Sequence, residues 1–444
     1  MTKTIAAVAT PPGIGGISVI RLSGEKSFDI IERCFESKRK IDFTKGSRIY
    51  YGQIVDGDKK IDSVNVSIFK SPNSYTGEDT VEISCHGNSL LADIIVELLV
   101  KYGAEYAEPG EFTRRAFLNG KLDLTQAEAV ADLIHSTTVP GVETAAKQLN
   151  GNFTDRLLQM RQELLDIASL LELELDFSEE GLDLIDRSVV VDKILKAVRF
   201  CSDLINAYTA SEVCRAGYYT AVTGFPNSGK STLFNTLIGR NRAIVSNIAG
   251  TTRDYLEESL YIKGLRITLA DTAGLRDTDD LIEIEGIKLV ESVIEQANLV
   301  IVLNDSTSGI NTSDKLAETI RSRYKEKEVI LIQNKCDISS IETTLSISAI
   351  TGQGCEELKA LIYEKAVKSI SAMNDIMINS RHKQLLQSAL SSLNDALSSI
   401  NSDMENELIA IDIKKATNIL GELTGESWNE EVLANIFSRF CIGK

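Results

Sequence analysis

Residues 224–231 read GFPNSGKS, a full match to the spacing GxxxxGK[ST]. A stretch of this kind suits phosphate binding. Its glycines let a turn bring successive backbone N–H groups round an anion, and a helix starting there adds its positive dipole end. Lys230 supplies an ammonium for the outer phosphates, and Ser231 supplies a hydroxyl for magnesium. A bare glycine turn between strand and helix would look similar, so the neighbouring motifs decide. Residues 271–274 read DTAG, with Asp271 suited to magnesium's water shell and Gly274 to the γ-phosphate. Residues 334–337 read NKCD. Asp337 can accept from guanine N1–H and the 2-amino group, whereas adenine offers an acceptor at N1 and no amine at C2. Asn334 and Lys335 support that loop and the base. Ser348-Ala349-Ile350 fits a backbone contact to the guanine O6. These four motifs in this order predict a GTP-binding domain. Its contacts are Asn227, Ser228, Gly229, Lys230, Ser231 and Thr232, then Asp271, Thr272, Ala273 and Gly274, and finally Asn334, Lys335, Asp337, Ser348 and Ala349.

Hydrolysis also needs a water positioner and neutralisation of transition-state charge. The residue after Gly274 is Leu275, so a glutamine in that place is absent. Arg253 and Arg276 are candidate arginine fingers. A monovalent cation held with the help of Asn227 is the alternative, and residue chemistry alone leaves both open.

These groups must be carried on strands. Short apolar runs at 218–223, 266–270, 299–303, 329–333 and 345–348 alternate with helices or loops, as in a doubly wound parallel sheet. On either side the pattern is helical. Residues 155–176 carry apolar side chains at helical spacing without Gly or Pro, and the acidic groups from Glu163 to Glu180 read as a solvated face rather than a metal cluster. Leu386, Leu390, Leu393, Leu397 and Ile400 mark another helix that packs on helices. Residues 1–118 form a further α/β or α+β unit, with strands near 17–22 and 64–69 and a helix at 89–102. The expected layout is multidomain, α/β and all-α. An N-terminal α+β domain (1–118) precedes a discontinuous helical domain (119–212 and 371–444), into which a Ras-like P-loop GTPase domain (213–370) is inserted.

Composition narrows the function. The chain has 444 residues, 43% hydrophobic and 25% charged, which argues against disorder or a coiled coil. Its net charge of -17 excludes coating of nucleic acid by bulk positive charge. The excess is uneven: residues 121–212 carry 8 Lys+Arg against 17 Asp+Glu, while residues 1–120 carry 15 against 16. The acidity therefore limits how RNA would be held, not whether RNA is a substrate. No apolar run is long enough for a membrane span and no signal peptide is legible, so a cytoplasmic location without membrane attachment is expected. The seven cysteines (34, 85, 201, 214, 336, 355 and 441) contain no CxxC pair, which supports neither a disulfide framework nor a zinc site.

The phosphate loop with Asn227, GTTRD at 250–254, DTAGLR at 271–276 and CIGK at 441–444 resemble the MnmE (TrmE) family of tRNA-modification GTPases. So do ATPPGIGGISVIRLSG at 9–24, SYTGED at 74–79 and PGEFTRRAFLNGKLDLTQAEA at 109–129. The resemblance spans essentially the whole chain. It implies an N-terminal folate-binding and dimerisation domain, hence a folate-binding-like fold and a homodimer. It implies nucleotide contacts from Ser246, Asn247, Ile248, Ala249, Gly250, Thr251 and Thr252. Potassium would be held by the Asn227 side chain and backbone oxygens of Ser246, Ile248 and Thr251, and Mg2+ by Ser231 and Thr252. Glu283 would act through water as general base, with Glu285 as the lesser candidate.

The same resemblance implies folate contacts from Arg21, Glu78 and Lys121, with Lys444 near the ligand and Cys441 beside it as a candidate covalent nucleophile. A carboxylate can take two donors from a pterin edge, and Arg or Lys suits acceptors or a glutamate tail. The cofactors implied are GTP, Mg2+, K+ and 5,10-methylenetetrahydrofolate, with 5-formyltetrahydrofolate as an analogue. The partners implied are tRNA and the flavin-dependent MnmG (GidA) protein, in a heterotetramer or larger. Rival readings are a ribosome-assembly GTPase of the Era or Der type, a folate-dependent transferase that the GTPase regulates, and a membrane-remodelling GTPase.

Overall fold

The computed structural model describes residues 3–44, 46–176, 186–239, 257–271, 283–307, 311–339, 345–371, 375–402 and 404–444. Two compact units divide the chain. One comprises Met1–Ala131, Leu149–Ala168 and Lys414–Lys444; the other comprises Asp132–Gln148 and Ser169–Ile413.

The first unit is built on β1 (Ile5–Val8), β2 (Ile17–Ser23), α1 (Ser27–Cys34), β3 (Phe35–Ser37), β4 (Arg48–Asp56), β5 (Lys59–Phe69), β6 (Thr80–His86), α2 (Ser89–Lys101) and β7 (Glu105–Tyr106). The strands form one seven-stranded sheet in the order β3-β4-β5-β6-β2-β1-β7, antiparallel except for the β1–β7 pair. Alternation decides which face is dry. Ile20 and Leu22 of β2, Val64, Val66 and Ile68 of β5, and Val81 and Ile83 of β6 join Ile30, Ile31, Ile95 and Leu99 of the two helices in one core. The Asn88 side chain starts α2 by accepting from Leu91 N–H. On β4, Ile49 and Tyr51 are 72% and 71% exposed, because the intervening positions Tyr50 and Gly52 take the inner side.

Next come α3 (Glu111–Leu118), α4 (Leu124–His135), α5 (Val139–Leu149) and α6 (Asn152–Asp176). The expected helix at 155–176 is thus three residues longer at its start. It buries Leu157, Met160, Leu164, Ile167, Ala168 and Leu171, one stripe at helical spacing. Asp123 begins α4 as an acceptor for Gln126 N–H, while the Gln126 side chain accepts from Asp123 N–H, a reciprocal cap.

The second unit continues with α7 (Arg187–Asn206), α8 (Tyr208–Ala216), β8 (Tyr218–Gly224), α9 (Lys230–Ile238), β9 (Glu257–Ile262), β10 (Leu265–Asp271), α10 (Glu283–Gln296), β11 (Leu299–Asp305), α11 (Asn311–Arg323), β12 (Glu328–Asn334), α12 (Cys355–Ser371) and α13 (Ser380–Asn401). Its five-stranded sheet runs β12-β11-β8-β10-β9, parallel except for β9. Residues of β11 alternate between two dry layers. Leu299, Ile301 and Leu303 join α9 and α12, whereas Val300 and Val302 join α10 and α11. A strand buried on both faces reads as a continuous apolar run, which is why β8, β10, β11 and β12 are visible in the sequence.

Two expectations change. Residues 345–348 form no strand; they meet β12 only at the single parallel bridge Gln333–Ser346. The fifth strand is β9, an antiparallel edge whose Glu257, Glu258 and Tyr261 face outward or half outward. Helix α13 buries Leu386 and Leu393 as expected and packs along α7.

The chain ends in α14 (Asn406–Thr424) and α15 (Glu430–Phe437). In the first unit, Leu433, Ile436, Phe437 and Phe440 pack on Phe117, Leu124, Ala127 and Val130. Gly110, at φ 69°, lets α3 start against α15, since a Cβ there would lie 2.6 Å from the Phe437 carbonyl oxygen. Among the described residues, no helix is long and apolar enough to cross a membrane. Cys34, Cys85, Cys201, Cys214 and Cys355 are buried thiols, and burial pushes Cys34 and Cys201 up to about 12. They serve as small apolar side chains.

Candidate functional site

Strand β8 lies between β10 and β11, so the strand order reverses beside its carboxyl end, where doubly wound sheets hold ligands. GFPNSGKS occupies that point. Gly229 is the N-cap of α9 at φ 93°, and a Cβ there would drive into the Asn334 side-chain amide. Asn227 is held left-handed at φ 64°, a conformation that asparagine tolerates better than most residues. The Lys230 ammonium donates to the carbonyls of Gly224 (3.0 Å) and Phe225 (2.8 Å), folded over its own loop. Ser231 Oγ donates to Asp271 Oδ2 at 3.0 Å. Hydroxyl and carboxylate from two motifs 40 residues apart thus converge as hard oxygen donors, the set magnesium prefers. Among the described residues, no group of three or more His, Cys, Asp or Glu could hold a metal.

The base-side motifs are tied to the phosphate loop by Asn334. Its Nδ2 donates to Ser228 O at 2.8 Å, and its Oδ1 accepts from Ala349 N–H at 2.9 Å. Thr236 Oγ1 of α9 donates to Ala349 O at 2.6 Å, fixing the Ser348–Ala349 turn from the other side. Asp337 is exposed in the turn that follows. Lys335, at φ 68°, donates from Nζ to Asp305 Oδ2 at 2.5 Å. Sequence reasoning missed Asp305 and Thr236. Asp305 carried one faint signal, a carboxylate at the end of a strand adjacent to the one bearing NKCD.

In the first unit, Arg21 donates from Nε to Glu82 Oε1 (2.9 Å) and lies over the rings of Tyr75 and Phe112, at 5.0 and 5.6 Å. The chain end is seated there. Gly443 O is 3.5 Å from Arg21 Nη1, and Lys444 O accepts from Phe112 N–H at 3.2 Å. Burial, with Arg21 beside it, holds the Lys444 ammonium below its ordinary value. Glu78 belongs to a neighbouring pair, accepting from Ser23 Oγ (2.8 Å) and Arg115 Nη1 (3.0 Å). Lys121 donates to Pro72 O at 3.1 Å. Arg21 and Lys444 are therefore brought together, and Glu78 lies on the same strand side through Ser23, two residues beyond Arg21. Cys441 is exposed. The residues this surface adds to the sequence reading are Glu82, Arg115, Tyr75 and Phe112.

Several expected site residues lie outside the described residues: Ser246, Asn247, Ile248, Ala249, Gly250, Thr251, Thr252, Arg253, Thr272, Ala273, Gly274, Leu275 and Arg276. Glu283 and Glu285 open α10, but their side chains are also outside them.

Two family models match the chain. One, described as the GTP-binding protein TrmE N-terminus, matches residues 4–121; the other, the MnmE helical domain, matches residues 124–441. The chain belongs to the MnmE family. Relatives named tRNA modification GTPase MnmE agree along the whole length. That of Christiangramia forsetii is 40% identical, with 100% of both chains covered. That of Flavobacterium psychrophilum is 43% identical with 99% of each covered, and that of Acetivibrio thermocellus is 38% identical with 99% of each covered. The MnmE match therefore includes the phosphate loop and the docked tail alike.

Proposed function

We propose that this chain is a GTPase acting in tRNA modification. The observation that carries the reading is the joining of a phosphate loop, an Asp271–Ser231 pair and an Asn334-braced base loop at one strand end, in a chain of the MnmE family. More finely, it is a potassium-stimulated enzyme working as a homodimer with the flavin-dependent MnmG protein. Together they install an aminomethyl or carboxymethylaminomethyl group at C5 of the tRNA wobble uridine. The domains are 1–118, 119–212 with 371–444, and 213–370.

Lys230 would leave its own loop carbonyls for the β- and γ-phosphates, and Ser231, with Thr252, would hold Mg2+. Asp337 would read guanine. Asn227 and the carbonyls of Ser246, Ile248 and Thr251 would hold K+, which would neutralise developing charge where an arginine finger otherwise could. Glu283 would orient the attacking water. At the first unit, Arg21, Glu78, Lys121 and Lys444 would hold a tetrahydrofolate, which supplies the one-carbon unit when bound. The fit is chemical: a guanidinium flanked by Tyr75 and Phe112 offers donors and flat apolar walls together. The exposed Ile49 and Tyr51 supply an apolar part of a sheet face for a second copy.

Deleting the gene should remove 5-substituted wobble uridines from digested bulk tRNA; their persistence would overturn the assignment. GTP hydrolysis by the purified chain should run at least tenfold faster in KCl than in NaCl. Asn227→Ala should abolish most of that difference, a loss of about 1.4 kcal/mol or more in barrier lowering. Equal rates in the two salts would return the role to Arg253 or Arg276.

A further inference from the structure

We propose that Asp305, at the end of β11, positions Lys335 for base recognition, so that guanine-nucleotide affinity depends on a strand outside the NKCD segment. The inference rests on the guanine-site reading above and adds a residue to it.

Lys335 is a long side chain held at φ 68°. A non-glycine residue stays in that region only where its surroundings over-determine it. Here the three residues Asp305, Ser306 and Thr307 do so from both ends. Ser306 N–H donates to Asn334 O at 3.1 Å, and Ser306 Oγ donates to Lys335 O at 3.0 Å, which fixes the backbone. The Asp305 carboxylate fixes the tip, and its two oxygens divide the work. Oδ1 accepts from Thr307 N–H (2.9 Å) and Thr307 Oγ1 (2.7 Å), while Oδ2 accepts from Lys335 Nζ at 2.5 Å. The pair is sheltered, with side chains 14% and 26% exposed. Asp305 and Asn334 are register partners on adjacent strands, so the lysine stem crosses from the end of β12 to the end of β11.

A pinned four-carbon stem is an apolar surface with its charge already neutralised. It can lie against a planar base without first losing rotamer freedom, and that pre-organisation raises affinity without touching the bond that breaks. Burial alone would raise the Asp305 carboxyl, but the bonds from Lys335 and Thr307 outweigh it and hold the group below the ordinary aspartate value, so the carboxylate stays ionised at neutral pH.

The full-length chain is assayed with a fluorescent GDP analogue for Kd, with GTP for steady-state kinetics, and by thermal melting. Asp305→Asn keeps the acceptor for Thr307 and removes the charge. It should raise Kd and KM about tenfold, with kcat at saturation changed less than twofold and the melting midpoint lowered by no more than about 4 °C. Asp305→Glu should regain part of the affinity. If wild type binds the analogue and Asp305→Asn binds it equally well, this inference alone falls. It falls too if kcat and the melting midpoint drop in step with affinity, since that marks a merely structural residue. If wild type fails to bind the analogue, the guanine reading fails first and takes this inference with it.

Discussion

Asparagine in place of Asp337 should lower guanine-nucleotide affinity by ~10²–10³-fold and give the chain xanthine nucleotides instead. A carboxylate accepts two charge-assisted hydrogen bonds from guanine, one from N1–H and one from the 2-amino group. Each bond to a charged group is worth about 1.5–3 kcal/mol net. An asparagine amide keeps one acceptor for N1–H but turns its NH2 toward the 2-amino group, donor against donor. Xanthine carries an oxygen at C2, so the same NH2 finds an acceptor. The substitution should leave the fold alone. Asp337 is exposed, and the turn around it is closed by backbone bonds from Ile338 and Ser339 N–H to Lys335 O, at 3.0 and 3.2 Å. Exposed positions of that kind usually move stability by less than about 0.5 kcal/mol. The readout is hydrolysis of GTP against XTP at matched concentrations with the melting curve alongside. Undiminished GTP preference in the variant would falsify the role given to Asp337.

How much of this was legible beforehand depended on how local each interaction is. GFPNSGKS, DTAG and NKCD are written in consecutive residues because their work is done by one turn each, and the strands that carry them are buried on both faces. Strand β9 was missed because EESLYI at 257–262 is an edge with one buried residue, Leu260, and lacks the apolar run of its neighbours. The run at 345–348 was read as a strand because Leu345 and Ile347 alternate with serines, yet two residues with Ile347 facing the core suffice for one bridge. The long hairpin β4–β5 was only half seen, since KKIDSVNVSIF buries Val64, Val66 and Ile68 in its second half. Pairs such as Asp305–Lys335 or Arg115–Glu78 join residues 30 and 37 positions apart and leave no periodicity to find. The acidity of 121–212 was also only partly resolved, since two of its carboxylates, Glu128 and Asp132, are buried rather than solvated.

Asp132→Ala should destabilise the second unit by about 3 kcal/mol, the low end of the usual cost of breaking a buried ion pair, because the half-exposed Glu212 still meets one Arg215 nitrogen. Asp132 takes Arg215 in two bonds, from Nε at 2.5 Å and from Nη2 at 2.8 Å. The remaining Arg215 nitrogen donates to Glu212 (2.9 Å) and to the Ile378 carbonyl (2.7 Å). The guanidinium cannot escape by losing its proton. Burial pulls its pKa down, but the bonds from Asp132 and the nearby Glu212 more than reverse that, so it stays charged at every pH at which the chain folds. Its place explains why the cost is large. Arg215 is two residues before Gly217, where α8 turns into the phosphate-loop strand, and Ile378 lies where the chain leaves α12 for α13. The stretch Ile376, Met377 and Ile378 is buried and held again by Ile378 N–H on Ser211 Oγ (2.9 Å) and Met377 N–H on Gln148 Oε1 (3.1 Å). One arginine therefore ties both chain crossings between the five-stranded sheet and the helices beside it to Asp132. Urea unfolding followed by circular dichroism should show the loss for Asp132→Ala. The double variant Asp132→Ala/Arg215→Met should regain more than half of it, because the stranded charge goes with the arginine. A double variant no more stable than Asp132→Ala would mean that the clamp acts through the Arg215 bonds to Ile378 and Glu212 rather than through the ion pair.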